Sequence, residues 1–424
     1  MNRSYDGYEP SYYWATEECP NVIFGSFYMK DEVDGTVLER AVQTAIRRFP
    51  YFQISLIRDG EDLIQVKDDR PITVRRWQGP ALLGSEETNG HVLMVSYEEK
   101  QIIFEVSHYL TDGAGFSPFV RSVLYYYLCG YYGRTFKADG IYLTETPFFP
   151  GELGDPYADV DFRTVEPPLY HYKKGELLVP DDIEIEVGQG NTVYYVDIDE
   201  ERFMEHAKKN GASPSSMFSL LLMRTFRRLC PQSGKKIVCG IGTNQKAVMG
   251  VRYNYRMGSS RVYVDYPKET ESWDDERLSV VTRGSILLQN QPENVLEHEK
   301  LMRGLDAKTK LIPTLKERCV RSGIRKYAMP VSSTYDVSYV GRMDWGEMDP
   351  YITGIYSEVN FLTGNMMLAE INAIHGKLCI ALMQGFEDGK VIHELLHILK
   401  EMDIPAQIVL KKAMSTSVMN VMNI

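Results

Sequence analysis

Apolar and polar positions alternate along this chain with two periods. Val22 to Tyr28 reads as a strand. Val37, Leu38, Ala41, Val42, Ala45 and Ile46 then fall on one face of a helix, which Arg47, Arg48 and Pro50 should end. Strands are expected at Tyr51–Ile57, Leu63–Val66 and Ile72–Trp77. Two short runs, His91–Tyr97 and Gln101–Ser107, flank Glu98-Glu99-Lys100 and predict a hairpin. A helix over Phe116–Leu128 follows.

From Leu143 to Gly190 the pattern breaks down, with prolines at 147, 150, 156, 167, 168 and 180. Beyond it the grammar of the first half returns. A strand at Thr192–Ile198 precedes a helix from Glu201, which Asn210-Gly211 should stop. Ser213-Pro214 supplies an N-cap and a first-turn proline for the apolar helix Met217–Leu229. Strands are expected at Lys236–Gly240, Val262–Val264, Tyr335–Val340, Asn360–Thr363, Met367–Ile374 and Leu378–Gln384, and a last helix at Lys390–Met402. The reading is α/β in two parts. An N-terminal unit spans residues 1–165, a crossover linker 166–190, and a C-terminal unit 191–424.

Composition narrows the function classes. Of 424 residues, 44% are hydrophobic and 25% charged, as in a packed globular protein. The 47 basic residues against 58 acidic ones leave a net charge of −11, which argues against nucleic acid or an anionic membrane as a partner held by bulk charge. Met1 to Pro10 hold no apolar core, and no run approaches the ~20 apolar residues of a membrane helix. The cysteines at 19, 129, 230, 239, 319 and 379 show no metal-like spacing. A cytoplasmic protein with reduced thiols, without signal peptide or membrane span, is expected.

The chemistry concentrates in Ser107-His108-Tyr109-Leu110-Thr111-Asp112-Gly113-Ala114-Gly115. Ile102, Phe104, Val106 and His108 alternate onto one face of the preceding strand, with Gln101, Ile103, Glu105 and Ser107 on the other. His108 therefore ends an apolar face, well placed for a general base. Asp112 lies four residues on, able to hold the loop or the ring. A core histidine bonded to a backbone carbonyl would give the same spacing.

His108-x-x-x-Asp112-Gly113 resembles the active-site motif of the CoA-dependent acyltransferase superfamily, which includes chloramphenicol acetyltransferase and peptide-synthetase condensation domains. Stand-alone bacterial alcohol-acetyltransferase-like proteins are the nearer likeness. Arg47-Arg48-Phe49-Pro50-Tyr51-Phe52 resembles the end of that family's first helix, and His108 to Leu128 its motif and following helix. Ser338-Tyr339-Val340-Gly341, with Pro350-Tyr351 downstream, resembles its Ser-Asn-Leu-Gly block. The resemblance implies two chloramphenicol-acetyltransferase-like subdomains, each a mixed sheet with helices, and an active-site tunnel between them. It implies a catalytic set of His108 as general base, Asp112 and Gly113 in the motif, and Ser338 as oxyanion donor. Acyl-CoA would be the co-substrate, with no tightly bound cofactor and no metal. A small alcohol would be the acceptor, and acetyl or another short chain the acyl group.

Three positions depart from the pattern. Ser107 replaces the first histidine of a frequent pair, and Tyr339 stands where relatives often have Asn. Where relatives often carry an arginine that pairs with the motif aspartate, Thr243-Asn244-Gln245-Lys246 offers Lys246; Arg252, Arg256 and Arg261 are rivals. A condensation-like enzyme that forms amides from a carrier-protein thioester, and a catalytically silent binding module, are the alternative readings.

Other signals are weighed and set aside. His393-Glu394-Leu395-Leu396-His397 matches a zinc-protease pattern. Lys400, however, stands where those enzymes need glycine, and Val391, Ile392, Leu395, Leu396 and Leu399 explain the helix without metal. Gly240-Ile241-Gly242 and Gly113-Ala114-Gly115 lack the rest of a phosphate loop. Arg224, Arg227, Arg228, Lys235 and Lys236 are expected to form a solvated basic face, and Cys239 a buried structural thiol.

Overall fold

The first half builds strands β1 (Val22–Met29), β2 (Ile54–Asp59), β3 (Asp62–Lys67), β4 (Val74–Arg76), β5 (Leu93–Glu98) and β6 (Gln101–Ser107), with helices α1 (Gly35–Ala45) and α2 (Gly113–Tyr132). The computed structural model describes residues 12–16, 20–168, 170–179, 182–183, 185, 191–328, 332–360, 367–419 and 421. Asp34 caps α1 by accepting from the amides of Thr36 and Val37, and Val37, Leu38, Ala41, Val42 and Ala45 are buried. The β5–β6 hairpin turns through Glu99, whose φ is 47°.

The second half contributes β7 (Thr192–Asp199), α3 (Glu200–Lys209), α4 (Pro214–Leu229), β8 (Ile237–Asn244), α5 (Gln245–Val248) and β9 (Ser259–Tyr266). Three helices follow, α6 (Asp275–Gln289), α7 (Pro292–Lys310) and α8 (Leu315–Ala328). Then come β10 (Tyr335–Arg342), β11 (Ile352–Val359), β12 (Met367–Ile374), β13 (Lys377–Gln384), α9 (Lys390–Glu401) and β14 (Ala406–Ala413). Ser213 and Ser216 form a reciprocal capping box at the start of α4, with Pro214 in its first turn.

Two mixed sheets organise the molecule. One runs β11-β1-β6-β5-β4 and the other β14-β7-β13-β12-β10-β8-β9, while β2 and β3 pair apart. In the second sheet β8, β10 and β12 run parallel to one another. That sheet is covered on both faces. Met367, Ala369 and Ile371 join a core with Phe203 of α3, Phe218 of α4 and Leu395 of α9. Leu368, Ala381, Met383 and Tyr195 point the other way, into the core of the first half. Alternation along β12 thus turns residues 368, 370, 372 and 374 toward the first half.

The division of the sequence into 1–165 and 191–424 does not follow the sheets. β11 belongs to the first sheet, antiparallel to β1, with Ser26 opposite Tyr356. The end of the chain returns there too: Val418 exchanges backbone hydrogen bonds with Ala81 and Leu83 at 2.9 Å each, and the Ser417 amide donates to Glu105 at 2.7 Å. The strand expected at Asn360–Thr363 falls beyond β11, and residues 361–363 lie outside the described residues. Of the linker 166–190, residues 169, 180, 181, 184 and 186–190 are likewise outside them; Tyr172, within it, donates to Asp265 of β9 at 2.6 Å. The helices α6 to α8 and the strands β11 and β14 are additions to the sequence-based expectation. Among the described residues no helix is long and apolar enough to cross a membrane.

Candidate active site

β6 delivers His108 to the boundary between the halves. Its amide still bonds to the Asn21 carbonyl at 2.8 Å, so the ring leaves from the end of the strand ladder. The ring Nδ1 lies 2.9 Å from the Thr111 carbonyl oxygen. A carbonyl only accepts, so Nδ1 carries the proton and Nε2 keeps its lone pair. Burial pushes the His108 pKa down; the Asp112 carboxylate opposes this and the Arg261 guanidinium reinforces it.

Asp112 caps α2 and does more. Its Oδ1 accepts from the Gly115 amide at 2.7 Å and from Lys246 Nζ at 3.0 Å, and its Oδ2 from the Gly258 amide at 2.8 Å. Lys246 also donates to the carbonyls of Asn254, at 3.2 Å, and Arg256. Both side chains are 4% exposed. Of the four cations weighed for Asp112, Lys246 is the one that reaches it. Arg252 is exposed, Arg256 donates to the Gly154 carbonyl, and Arg261 pairs with Asp336. Burial lowers the Lys246 pKa, and the Asp112 charge acts against that.

Gly113 opens α2 with free space around it. Gly115 is different: a Cβ there would stand 2.4 Å from the Tyr255 carbonyl oxygen. Thr111 Oγ1 donates to that same carbonyl at 2.6 Å. The amino end of α2 is thus pressed against residues 254–258 of the second half.

A buried network that the sequence gave no reason to single out holds that segment. Arg48 Nη2 meets both oxygens of Glu152, at 2.9 and 3.1 Å, and each residue is 1% exposed. The Tyr255 hydroxyl donates to Glu152, and Asn254 donates to the carbonyls of Gly151, at 2.7 Å, and Gly154, at 2.9 Å. Arg48 sits in the Arg47–Phe52 block, which was the available signal.

Ser338 lies elsewhere along the boundary. A row of register partners crosses the second sheet from Tyr195 through Ala381 and Glu370 to Ser338. Gly242 follows, its Cβ position 3.4 Å from Ser338, and Arg261 ends the row. The Tyr195 hydroxyl reaches Glu358 of β11, so the row faces the first half. Glu370 is 8% exposed, and burial raises its pKa to about 8; the Ser338 hydroxyl acts to lower it and the Asp336 charge to raise it. Ser338 is the register neighbour of Glu370, and no described contact joins it to His108.

A cavity of about 510 Å³ opens at the carboxyl end of β8, lined by Ser213, Ser215, Gly242, Thr243, Arg283 and Leu287 among others. The crevice beyond the carboxyl ends of parallel strands is a common place for ligands in α/β sheets.

The signals set aside take ordinary places. His397 pairs with Glu401 along α9 at 3.0 Å, and Glu394 of α9 with Arg228 of α4 at 3.2 Å. The basic cluster is less solvated than expected, because Arg227 is 2% exposed and donates to the carbonyls of Lys235 and Tyr266. Its neighbours Arg224, Lys235 and Lys236 pair with Asp275, Asp182 and Asp265. Cys239 is fully buried, and burial holds its thiol well above the usual range.

No family model matches the sequence, and no curated protein is similar to it in sequence. Solved structures are similar in fold. A TRI101 protein of F. sporotrichioides, in complex with coenzyme A and T-2, is 11% identical with a TM-score of 0.58, over 95% of this chain and 99% of that one. Polyketide synthase associated protein 5 from Mycobacterium tuberculosis is 12% identical with a TM-score of 0.60, over 94% and 98%. The condensation domain of the Monacolin K polyketide synthase MokA is 12% identical with a TM-score of 0.51, over 90% and 91%. The chain shares its two-sheet fold with these proteins.

Proposed function

We propose that this protein is a cytoplasmic acyltransferase that moves a short acyl group from a CoA thioester to the hydroxyl of a small acceptor, with His108 as general base. The observation that carries this reading is the 2.9 Å contact between His108 Nδ1 and the Thr111 carbonyl. It leaves Nε2 as the basic nitrogen at the boundary of the two halves. The acceptor hydroxyl gives its proton to Nε2 as its oxygen attacks the thioester carbonyl carbon. The tetrahedral intermediate collapses with loss of the CoA thiolate, which takes the proton back from the imidazolium. The products are an ester and free CoA, and His108 is neutral again.

The supporting residues hold this geometry. Asp112 offsets the transient imidazolium charge, and its bonds to Lys246 and Gly258 fix the amino end of α2 to the second half. The donor is assigned to the cavity at the carboxyl end of β8, where Arg283 and the amino end of α4 suit its phosphates. The TRI101 structure holds coenzyme A on this fold, which supports a CoA donor. Ser338, read from the sequence as the oxyanion donor, is assigned instead to the acceptor wall, because it stands beside Glu370 on the face turned to the first half. No metal and no tightly bound cofactor enter the scheme.

The condensation-domain likeness favours one rival, an amide-forming enzyme fed by a carrier-bound thioester. Thiol release from acetyl-CoA, followed over a panel of alcohols and amines, separates the readings. Acceptor-dependent release with alcohols, abolished in His108→Ala, is the expected result. Release with carrier-bound thioester and amines alone selects the rival, and no release with any pair indicates a binding module.

A further inference from the structure

The row of residues across the second sheet contains a polar group that the acyl-transfer scheme does not use. Glu370 lies between Ala381 and Ser338, with Gly242 one strand further on. Its neighbours in the row are small, and the row faces the first half. Among the described residues no cation pairs with it. The charge that acts on it is that of Asp336, itself an acid and already paired with Arg261. Asn372 follows two residues along β12 on the same face and is 1% exposed. Its Nδ2 donates to Ser357 at 3.3 Å, while its Oδ1 has no hydrogen-bond partner. A buried acceptor left without a donor is costly, so this amide oxygen beside a buried acid that no described cation pairs, on one face of β12, calls for a ligand rich in N–H groups.

We infer that Glu370, Ser338 and Asn372 seat a protonated primary amine, so that the acceptors of this enzyme are amino alcohols. An ammonium carries three donors and one positive charge. It matches a carboxylate, a hydroxyl oxygen and an amide oxygen, and it balances the unpaired acid. A neutral diol offers one donor per hydroxyl and no charge. The amine anchors the acceptor on the second sheet while its hydroxyl extends toward His108 across the boundary. This inference rests on the acyl-transfer reading for the fate of the hydroxyl, but binding of the amine stands apart from it.

The test is calorimetric titration of the whole protein, without acyl donor, with aminopentanol and aminooctanol against the matched diols. Wild type should bind at least one amino alcohol about 10- to 100-fold more tightly than its diol, the range for a hydrogen bond to a charged group. In buffers of different ionisation enthalpy at neutral pH, binding should release protons, because an acid held at about 8 must ionise to meet the cation. Glu370→Gln should lose both the preference and the proton release. Equal binding of amino alcohol and diol by wild type overturns the inference, as does binding of neither, or a preference that survives in Glu370→Gln. The wild-type comparison decides the matter even if the variant does not fold. An amine preference without thiol release would sink the acyl-transfer reading alone; thiol release with alcohols and no amine preference would sink this inference alone.

Discussion

Lys246 Nζ stands 3.0 Å from Asp112 Oδ1, joining groups 134 residues apart in sequence. With the Gly258 and Tyr255 contacts, it ties the motif of the first half to the second. Removing one member of a buried pair typically costs ~3–5 kcal/mol, since the other charge is left without a partner. Asp112→Ala also removes a helix cap worth ~1 kcal/mol. Urea unfolding should show a loss of that order for Asp112→Ala, and Lys246→Met should lose a comparable amount. A double variant losing no less than the sum of the two singles would show that the pair is not coupled.

The glycines at the start of α2 should behave in opposite ways. Gly113→Ala meets open space and gains helix propensity, so stability should hold or rise by up to ~1 kcal/mol. Gly115→Ala drives a Cβ to within 2.4 Å of a backbone oxygen, and the two halves must part to admit it. Gly258→Ala presses on the Lys246 stem at 2.6 Å and should likewise destabilise. Melting temperatures of the three variants test this directly, and an unchanged Gly115→Ala would contradict the packing described.

His108→Ala should lower turnover by ~10²–10⁴, the usual contribution of a general base, while the melting temperature changes little. The base acts in its neutral form, and burial holds its pKa below the ordinary value of ~6.5. The kcat/KM profile of wild type should therefore be level through neutral pH and fall only on the acid side of that value. A profile still rising above pH ~7 would point to another base.

Glu105 sets a pH dependence of stability. It is fully buried, and burial raises its pKa from 4.5 to about 7. The folded state therefore binds more protons than the unfolded state between those values. The stabilisation is complete below about 4.5 and is lost as pH rises through about 7. The loss is of the order of ~3 kcal/mol. Glu370 acts with the same sign at about 8. Denaturation midpoints should fall between pH ~4.5 and ~8, and Glu105→Gln should flatten the part of that fall below about 7. A midpoint that rises over this range would exclude the assignment.

Chelation provides a simpler check. His397 and Glu394 are paired with Glu401 and Arg228, so EDTA should change neither the melting temperature nor turnover. Stoichiometric zinc in the purified protein, lost in His397→Ala, would reverse that expectation.

Much of the site was readable from short-range pattern. Strand alternation put His108 at the end of the Phe104–Val106 face, but the helix expected from Phe116 begins at Gly113, with Asp112 as its cap. The partner of Asp112 was not readable among Lys246, Arg252, Arg256 and Arg261, because the choice depends on residues 254–258 folding back around α5. Glu370 was hidden inside an apolar strand, where only one acid among Met367–Ile374 hinted at it. The helices α6 to α8 escaped because many of their apolar residues point outward. Val280, Leu287, Leu301 and Ile324 are all more than half exposed, so no continuous buried stripe marks a period. β11 was missed for a different reason: its sheet belongs to the other half of the chain, and no local signal carries that.

The placement of β11 has a consequence for how the protein is made. Until residues 352–359 emerge from the ribosome, β1 is an edge strand with its outward amides and carbonyls unpaired. The N-terminal half thus waits through most of translation with a sticky edge, the condition in which nascent chains aggregate or recruit chaperones. Cutting the gene between the two halves would yield a first fragment that needs its strand supplied in trans.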